Sequence, residues 1–331
     1  MVAGGAALEP IAVVFAGTFA ASLETRVRAH LTQPSTVATA DESAVAALMP
    51  DVDVLVTMAF TREMGERAKR LKLVQVPGAG LDRIDRSALP PGAALANVYG
   101  HEVGIAEYVM GALLALTREL TRLDVALKRG VWESQWAVGA TPPAPWAELA
   151  GRTLGIVGYG HIGQALARRA RAFDMNVLAI RRDVTRPDPH ALVRGPDALA
   201  DVLARADYLA ITASLNAQTR GLIGARELAA MKPTAILVNV SRAEIVDEDA
   251  LYGALAERKI AAAALDVWYR YPSAPGPTPP ARRPFHELPN VLMTPHVSGW
   301  TDGMIDARAR TIAENIERVA RGEPPVNMIS G

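Results

Sequence analysis

Apolar residues recur along this chain in two rhythms that take turns. Short continuous runs, rich in β-branched residues, read as buried strands at 11–15, 52–58 and 71–76. Between them, apolar residues three and four apart predict helices over 21–31, 42–49 and 62–70. The long stretch 101–129 keeps helical spacing through Ile105, Val109, Leu113, Leu116 and Leu120, which predicts one helix passing between two domains. A second alternating set follows, with strands expected at 153–157, 176–180, 208–212, 235–240 and 261–267. Helix returns over 302–321, with Ile305, Ile312, Ile316 and Val319 facing inward. Alternation of this kind predicts an α/β protein with parallel sheets covered by helices. The chain is long enough for two such domains. We expect residues 1–100 and 301–331 to form one, with 101–300 inserted in it as the other.

Residues 153–183 anchor this reading. The run TLGIV leads directly into Gly158-Tyr159-Gly160-His161-Ile162-Gly163. Ile162, Leu166, Ala170 and Phe173 then recur at helical spacing, and 176–180 is a second buried run. Strand, glycine turn, helix and strand form the context in which G-x-G-x-x-G signals dinucleotide binding. Gly158 permits the tight turn, Gly160 lets backbone approach a pyrophosphate, and Gly163 lets helix pack close to strand. The phosphates would meet amides at the helix N-terminus, where His161 and Ile162 are the cofactor-binding candidates. The end of the second strand selects the cofactor, because Asp or Glu there suits NAD and Arg suits a 2′-phosphate. Arg181 and Arg182 stand at that point, ahead of Asp183. NADP is therefore favoured over NAD, the alternative being that Asp183 slips back to serve the ribose.

Composition narrows the function classes. Lys and Arg total 35, as do Asp and Glu, so formal net charge is zero. A nucleic-acid or anionic-membrane binder would show a basic excess. With no cysteine there is no disulfide, thiol nucleophile or Cys-ligated metal. No apolar run reaches the ~18 residues of a membrane span. The opening residues lack the pattern of a signal peptide, and a cytoplasmic protein is expected. Trp132, Trp136 and Trp146, set among prolines in a long connection, suggest a subunit interface or local packing. Residues 272–284 form a proline-rich loop with no periodicity.

Three polar residues end or follow apolar strands: Arg242, Asp266 and His296. Beside a nucleotide they make chemical sense. Hydride transfer to a ketone develops negative charge on oxygen, which an imidazolium can protonate and a guanidinium can polarise. Pro77-Gly78-Ala79-Gly80 breaks the chain after another strand, and the amides of Ala79 and Gly80 could hold a carboxylate there or form a plain turn.

Together, PGAGLDRID (77–85), IAEYVMGALLAL (105–116), GIVGYGHIGQALA (155–167), LVNVSRAEIVDEDAL (237–251), AALDVW (263–268) and NVLMTPHVSG (290–299) resemble the D-isomer-specific 2-hydroxyacid dehydrogenases. The resemblance runs from about residue 50 onward. It implies a Rossmann nucleotide-binding domain inserted in a flavodoxin-like substrate domain, with the active site in the interdomain cleft, and a homodimer. It further implies that Arg242 binds substrate, that His296 is the general acid/base, and that Ala79 and Gly80 hold the substrate carboxylate. Asp266 would contact the nicotinamide carboxamide, and Thr219, Asn239, Ser241 and Gly299 would line the cofactor.

The departures are informative. The family usually reads Asp-Val-Phe-x-x-Glu-Pro, with the Glu partnering the histidine. Here the run is Asp266-Val267-Trp268-Tyr269-Arg270-Tyr271-Pro272, so Tyr271 takes that place. A neutral phenol can orient an imidazole but cannot stabilise its cation as a carboxylate does. The histidine is therefore expected to titrate lower than is usual for the family. His101 stands where the family often has Asn, either facing substrate or lying on the surface at a helix start. The resulting expectation is an oxidoreductase moving hydride between NADP(H) or NAD(H) and a small 2-keto or 2-hydroxy acid. The alternatives are a formate-dehydrogenase-like oxidase, whose substrate has no hydroxyl proton, and a nucleotide-sensing regulatory protein on the same fold.

Overall fold

A computed structural model of the chain describes residues 10–139 and 143–329. The opening stretch read above for a signal peptide lies almost wholly outside them. The chain divides into two compact units, Met1–Gly100 with Thr301–Gly331, and His101–Trp300.

The first unit holds a parallel sheet of β1 (Ile11–Ala16), β2 (Ser35–Ala40), β3 (Val54–Thr57), β4 (Leu73–Gln75) and β5 (Ala94–Ala96). Their order is β2-β1-β3-β4-β5, the flavodoxin-like arrangement. One face buries Val13, Phe15 and Val56 with Ile312 and Ile316 of the helix Asp302–Ala320; the other buries Leu55, Val74, Met49 and Phe60. The expected helix over 21–31 is two pieces, Thr18–Ala21 and Glu24–His30. That expected over 42–49 is a pair of 3-10 turns, Val45–Ala47 and Met49–Asp51. Pro50 explains why no α-helix runs on through the second turn: it lacks the amide that an α-helical bond needs.

The second unit is a seven-stranded parallel sheet. It contains β6 (Thr153–Val157), β7 (Asn176–Ile180), β8 (Leu192–Arg194), β9 (Tyr208–Ile211), β10 (Ile236–Asn239), β11 (Ala262–Leu265) and β12 (Val291–Met293). The order β12-β11-β10-β9-β6-β7-β8 is that of a Rossmann sheet, reversing between β6 and β9. Leu154, Ile156 and Leu166 are fully buried, each contributing roughly 1.5–3 kcal/mol through apolar burial.

The single helix expected over 101–129 is two: Glu102–Thr117, and Leu120–Lys128. Glu119 breaks it with a left-handed φ of 51°, and its carboxylate accepts from Arg122 and from the Trp146 indole. Leu120, the last residue of that apolar spacing, is exposed. Phe173 is also exposed at the end of its helix rather than on the buried face. Among the described residues no helix is long and apolar enough to cross a membrane.

Candidate active site

The glycine turn is built as steric necessity requires. Gly158 has φ +101°, and a Cβ there would lie 2.3 Å from Ala213 backbone atoms. At Gly163 it would meet the Gly158 carbonyl oxygen at 2.8 Å. At Gly160 nothing lies within 4 Å. Two glycines are thus needed by the protein's own packing, whereas the third opens the backbone to a ligand. The helix His161–Ala172 begins there, at the carboxyl end of β6 beside the topological switch point. Its first turn offers amides and positive dipole to an anion. The residues present therefore fit a dinucleotide.

At the end of β7, the Arg181 side chain is bonded to the Arg186 carbonyl and lies 5.8 Å from the Tyr159 ring centroid. Its Nε is buried with no hydrogen-bond partner among the described residues. Arg182 is exposed. Asp183 accepts from both the amide and the hydroxyl of Thr185, at 2.9 and 2.5 Å. Those bonds, the hydroxyl foremost, hold its carboxyl below the usual range. Both bonds fall on Oδ1, which is committed to a local turn.

Asn239 at the end of β10 donates to the Arg242 carbonyl (3.0 Å) and accepts from the Ser241 amide (3.1 Å), shaping the turn that presents Arg242. The Ser241 hydroxyl donates to the Ala213 carbonyl. Thr219 donates to the Ser214 carbonyl at 2.7 Å, in the turn after β9. These residues thus gather at the carboxyl ends of adjacent strands.

His296 follows β12 in a left-handed conformation, φ 58°. Its Nδ1 lies 2.7 Å from the Tyr271 hydroxyl, which also accepts from the Trp268 amide at 3.3 Å. Tyr271 is half-exposed, and the partial burial of its phenol pushes its pKa up, against the Trp268 hydrogen bond and the charge of nearby Arg242. The phenol therefore stays neutral through the physiological range. Tyr271 thus touches His296 and feels the charge of Arg242.

Asp266, fully buried, accepts from the Thr294 hydroxyl (2.6 Å), the Val297 amide (2.9 Å) and the Ser298 amide (2.8 Å). It is the brace of the loop that bears His296. Sequence reasoning missed Trp268, whose indole donates to the Thr294 carbonyl at 2.8 Å, and Tyr108, whose hydroxyl lies 2.6 Å from the Thr294 hydroxyl. Both lie inside motifs quoted above, but their pairing across the sequence leaves no local signal.

His101 is buried, which corrects the surface reading. Gly299 lets its loop approach the helix Glu102–Thr117: a Cβ there would lie 3.3 Å from Ile105 and 3.5 Å from His101.

In the first unit, Ala79 and Gly80 follow β4. The Gly78 carbonyl accepts from the Val98 amide (3.3 Å), and the Ala79 carbonyl from Asn97 Nδ2 (3.1 Å). Asn97, also missed from sequence, is buried and pins the turn by its carbonyl.

The exposed aromatics separate into two kinds. Trp132 and Trp136 are exposed, at 61% and 80%. Trp146 is packed within its own unit, under Arg118 and bonded to Glu119, so local packing explains it.

A family model described as D-isomer specific 2-hydroxyacid dehydrogenase, NAD binding domain, matches residues 110–298. The chain is 36% identical over 286 residues to D-3-phosphoglycerate dehydrogenase of Methanocaldococcus jannaschii, covering 85% of this chain but only 52% of that relative. It is 35% identical over 277 residues to hydroxypyruvate reductase of Thermotoga maritima, covering 82% of this chain and 85% of the relative. Among solved structures, it resembles an NADPH-dependent glyoxylate/hydroxypyruvate reductase from Sinorhizobium meliloti, in complex with NADP and malonate. That match has a TM-score of 0.78 and 26% identity, and covers 97% of each chain.

Proposed function

Because the chain belongs to the D-isomer specific 2-hydroxyacid dehydrogenase family, we propose that it is a reductase of small 2-keto acids that favours NADP(H). The observation that carries this reading is the hydrogen-bonded pair of His296 and Tyr271 close to the charge of Arg242. The glycine turn and helix N-terminus would hold the nicotinamide cofactor, which when bound would supply the hydride. The keto acid gains that hydride on carbon and a proton on oxygen, giving the 2-hydroxy acid and NADP+.

Arg242 polarises the carbonyl or grips the substrate carboxylate, and His296 delivers the proton. The amides of Ala79 and Gly80, beside pinned carbonyls, are the carboxylate donors in this reading. His101 remains a proposed substrate contact. Thr219, Asn239, Ser241 and Gly299 are proposed to line the nucleotide, with Asp266 reaching its carboxamide through spare acceptor capacity.

Tyr271 suits both protonation states of His296. A phenol has one proton and two acceptor sites. It donates to a bare Nδ1, or accepts from a protonated one while turning its own hydrogen away. Unlike a carboxylate, it adds no charge to hold the imidazolium. We therefore expect reduction to lose rate at lower pH than a glutamate partner would allow.

Arg181 supports NADP. Its guanidinium lies over Tyr159 and has a buried Nε with no partner among the described residues, while Asp183 Oδ1 is bonded to Thr185. Exposed Trp132 and Trp136 support a homodimer, which light scattering would test.

The testing experiment is reduction of a 2-keto acid panel with NADPH and NADH in parallel. Turnover of at least one keto acid, faster with NADPH at limiting cofactor, is expected. Tight cofactor binding without turnover of any member would instead favour the nucleotide sensor.

A further inference from the structure

Trp268 occupies the place of a phenylalanine in the motif Asp-Val-Phe that this sequence resembles, and differs from it by one donor, the indole N–H. That donor is used. Trp268 is buried, and Nε1 gives a 2.8 Å bond to the Thr294 carbonyl, two residues before His296. Its backbone amide donates to the Tyr271 hydroxyl, the other neighbour of the histidine. One residue therefore grips both the loop that bears the imidazole and the phenol that orients the ring.

Thr294 is held from further sides. Its amide donates to the Leu265 carbonyl, and its hydroxyl donates to Asp266 at 2.6 Å. A threonine hydroxyl has a single proton, so at the 2.6 Å contact with Tyr108 the tyrosine must be the donor. The bonds run Tyr108 to Thr294 to Asp266, and Asp266 in turn takes the amides of Val297 and Ser298. His296 sits between these fixed points with φ 58°, a conformation a non-glycine residue keeps only when its surroundings impose it.

We infer that Trp268 is a positioning residue for the proton transfer, clamping His296 together with its Tyr271 partner, and that Tyr108 completes the clamp through Thr294. This inference rests on the proton-transfer role proposed for His296. The clamp acts on no reacting atom itself. Removing it lets the imidazole sample orientations that do not face the substrate oxygen, and a small misplacement of a catalytic group costs rate steeply.

The test is W268F, which keeps an aromatic ring and deletes the indole donor. In keto-acid reduction with NADPH, kcat should fall about tenfold, while Kd for NADPH stays unchanged. In an H296A background the same substitution should change the residual rate by less than about twofold, because there is no imidazole left to position. Y108F should lower kcat in the same direction but less. T294V should also lower it, whereas T294S, which restores the hydroxyl, should not. These variants test the clamp even if W268F fails to fold. Wild-type kcat in W268F, Y108F and T294V would overturn the inference. So would an equal fall with and without His296, or loss of NADPH binding in step with kcat, because either marks general support of the fold. An H296A enzyme that turns over like wild type would instead refute the proton-transfer reading itself.

Discussion

The glycine turn and the histidine loop occupy the same edge of one sheet and are made in opposite ways. At the turn, function depends on side chains that are missing: two glycines leave room for backbone, and a third leaves room for a ligand. At the loop, function depends on side chains that are present and bonded in a chain through Trp268, Thr294, Asp266 and Tyr108. Backbone sites fail sterically and all at once. Bonded side-chain sites fail by degrees, because each bond removed leaves others in place.

The contrast is sharpest at Gly158. Any added side chain strikes Ala213 backbone in a conformation unsuited to L-residues. G158A should abolish nucleotide binding or folding outright, as measured by calorimetric titration of NADPH and by circular dichroism. G160A, with open space around it, should fold normally and lose only nucleotide affinity; intact affinity there would break the comparison.

At the loop, H296A should lower kcat about 10²- to 10⁴-fold, the range expected of general acid catalysis, with NADPH affinity retained. Steady-state kinetics and cofactor titration on one preparation would check both halves. At the edge of the turn, R181A should weaken NADPH about 10- to 100-fold and leave NADH nearly unchanged, as loss of hydrogen bonds to a charged phosphate implies. Equal losses for both cofactors would remove Arg181 from cofactor selection.

The smallest expected effect on activity lies in the other unit. Asp53, buried, accepts from the Ala12 amide and from Arg70. Burial opposes ionisation there, but the bonds from Ala12 and Arg70 and the charge of Lys72 outweigh it and lower the pKa. A depressed folded-state value means stability present above the unfolded carboxyl range and lost as pH falls through the folded one. D53N should cost about 1–2 kcal/mol near neutrality, less in acid, and leave kcat at wild type. Thermal melts across pH would show it.

The two regions also differ in how far the chain alone reveals them. β6 and β7 are continuous apolar runs buried on both faces, and their ends are sharp in the sequence. Gly158, Gly160 and Gly163 are legible because the constraint is local. Arg242, Asp266 and His296 stand out because each interrupts the end of an apolar strand. The edge strands β2, with alternating exposure, and β8, three residues long, are too polar or short to read. The break at Glu119 hides inside a continuing apolar rhythm whose second half, Leu120–Lys128, buries none of its residues. Tyr108 and Thr294 are 186 positions apart, so only the fold makes them neighbours.

The most direct test is the pH dependence of kcat/KM for keto-acid reduction in wild type and in Y271E. A neutral phenol adds no charge beside the imidazolium, whereas a carboxylate in its place would add a negative one, raising the histidine's pKa. Proton donation requires the cation, so rate falls as pH rises through that value. The falling limb should therefore move to higher pH in Y271E, by about one unit. A limb that stays in place, or moves down, would contradict His296 as the proton donor and Tyr271 as the residue that sets it.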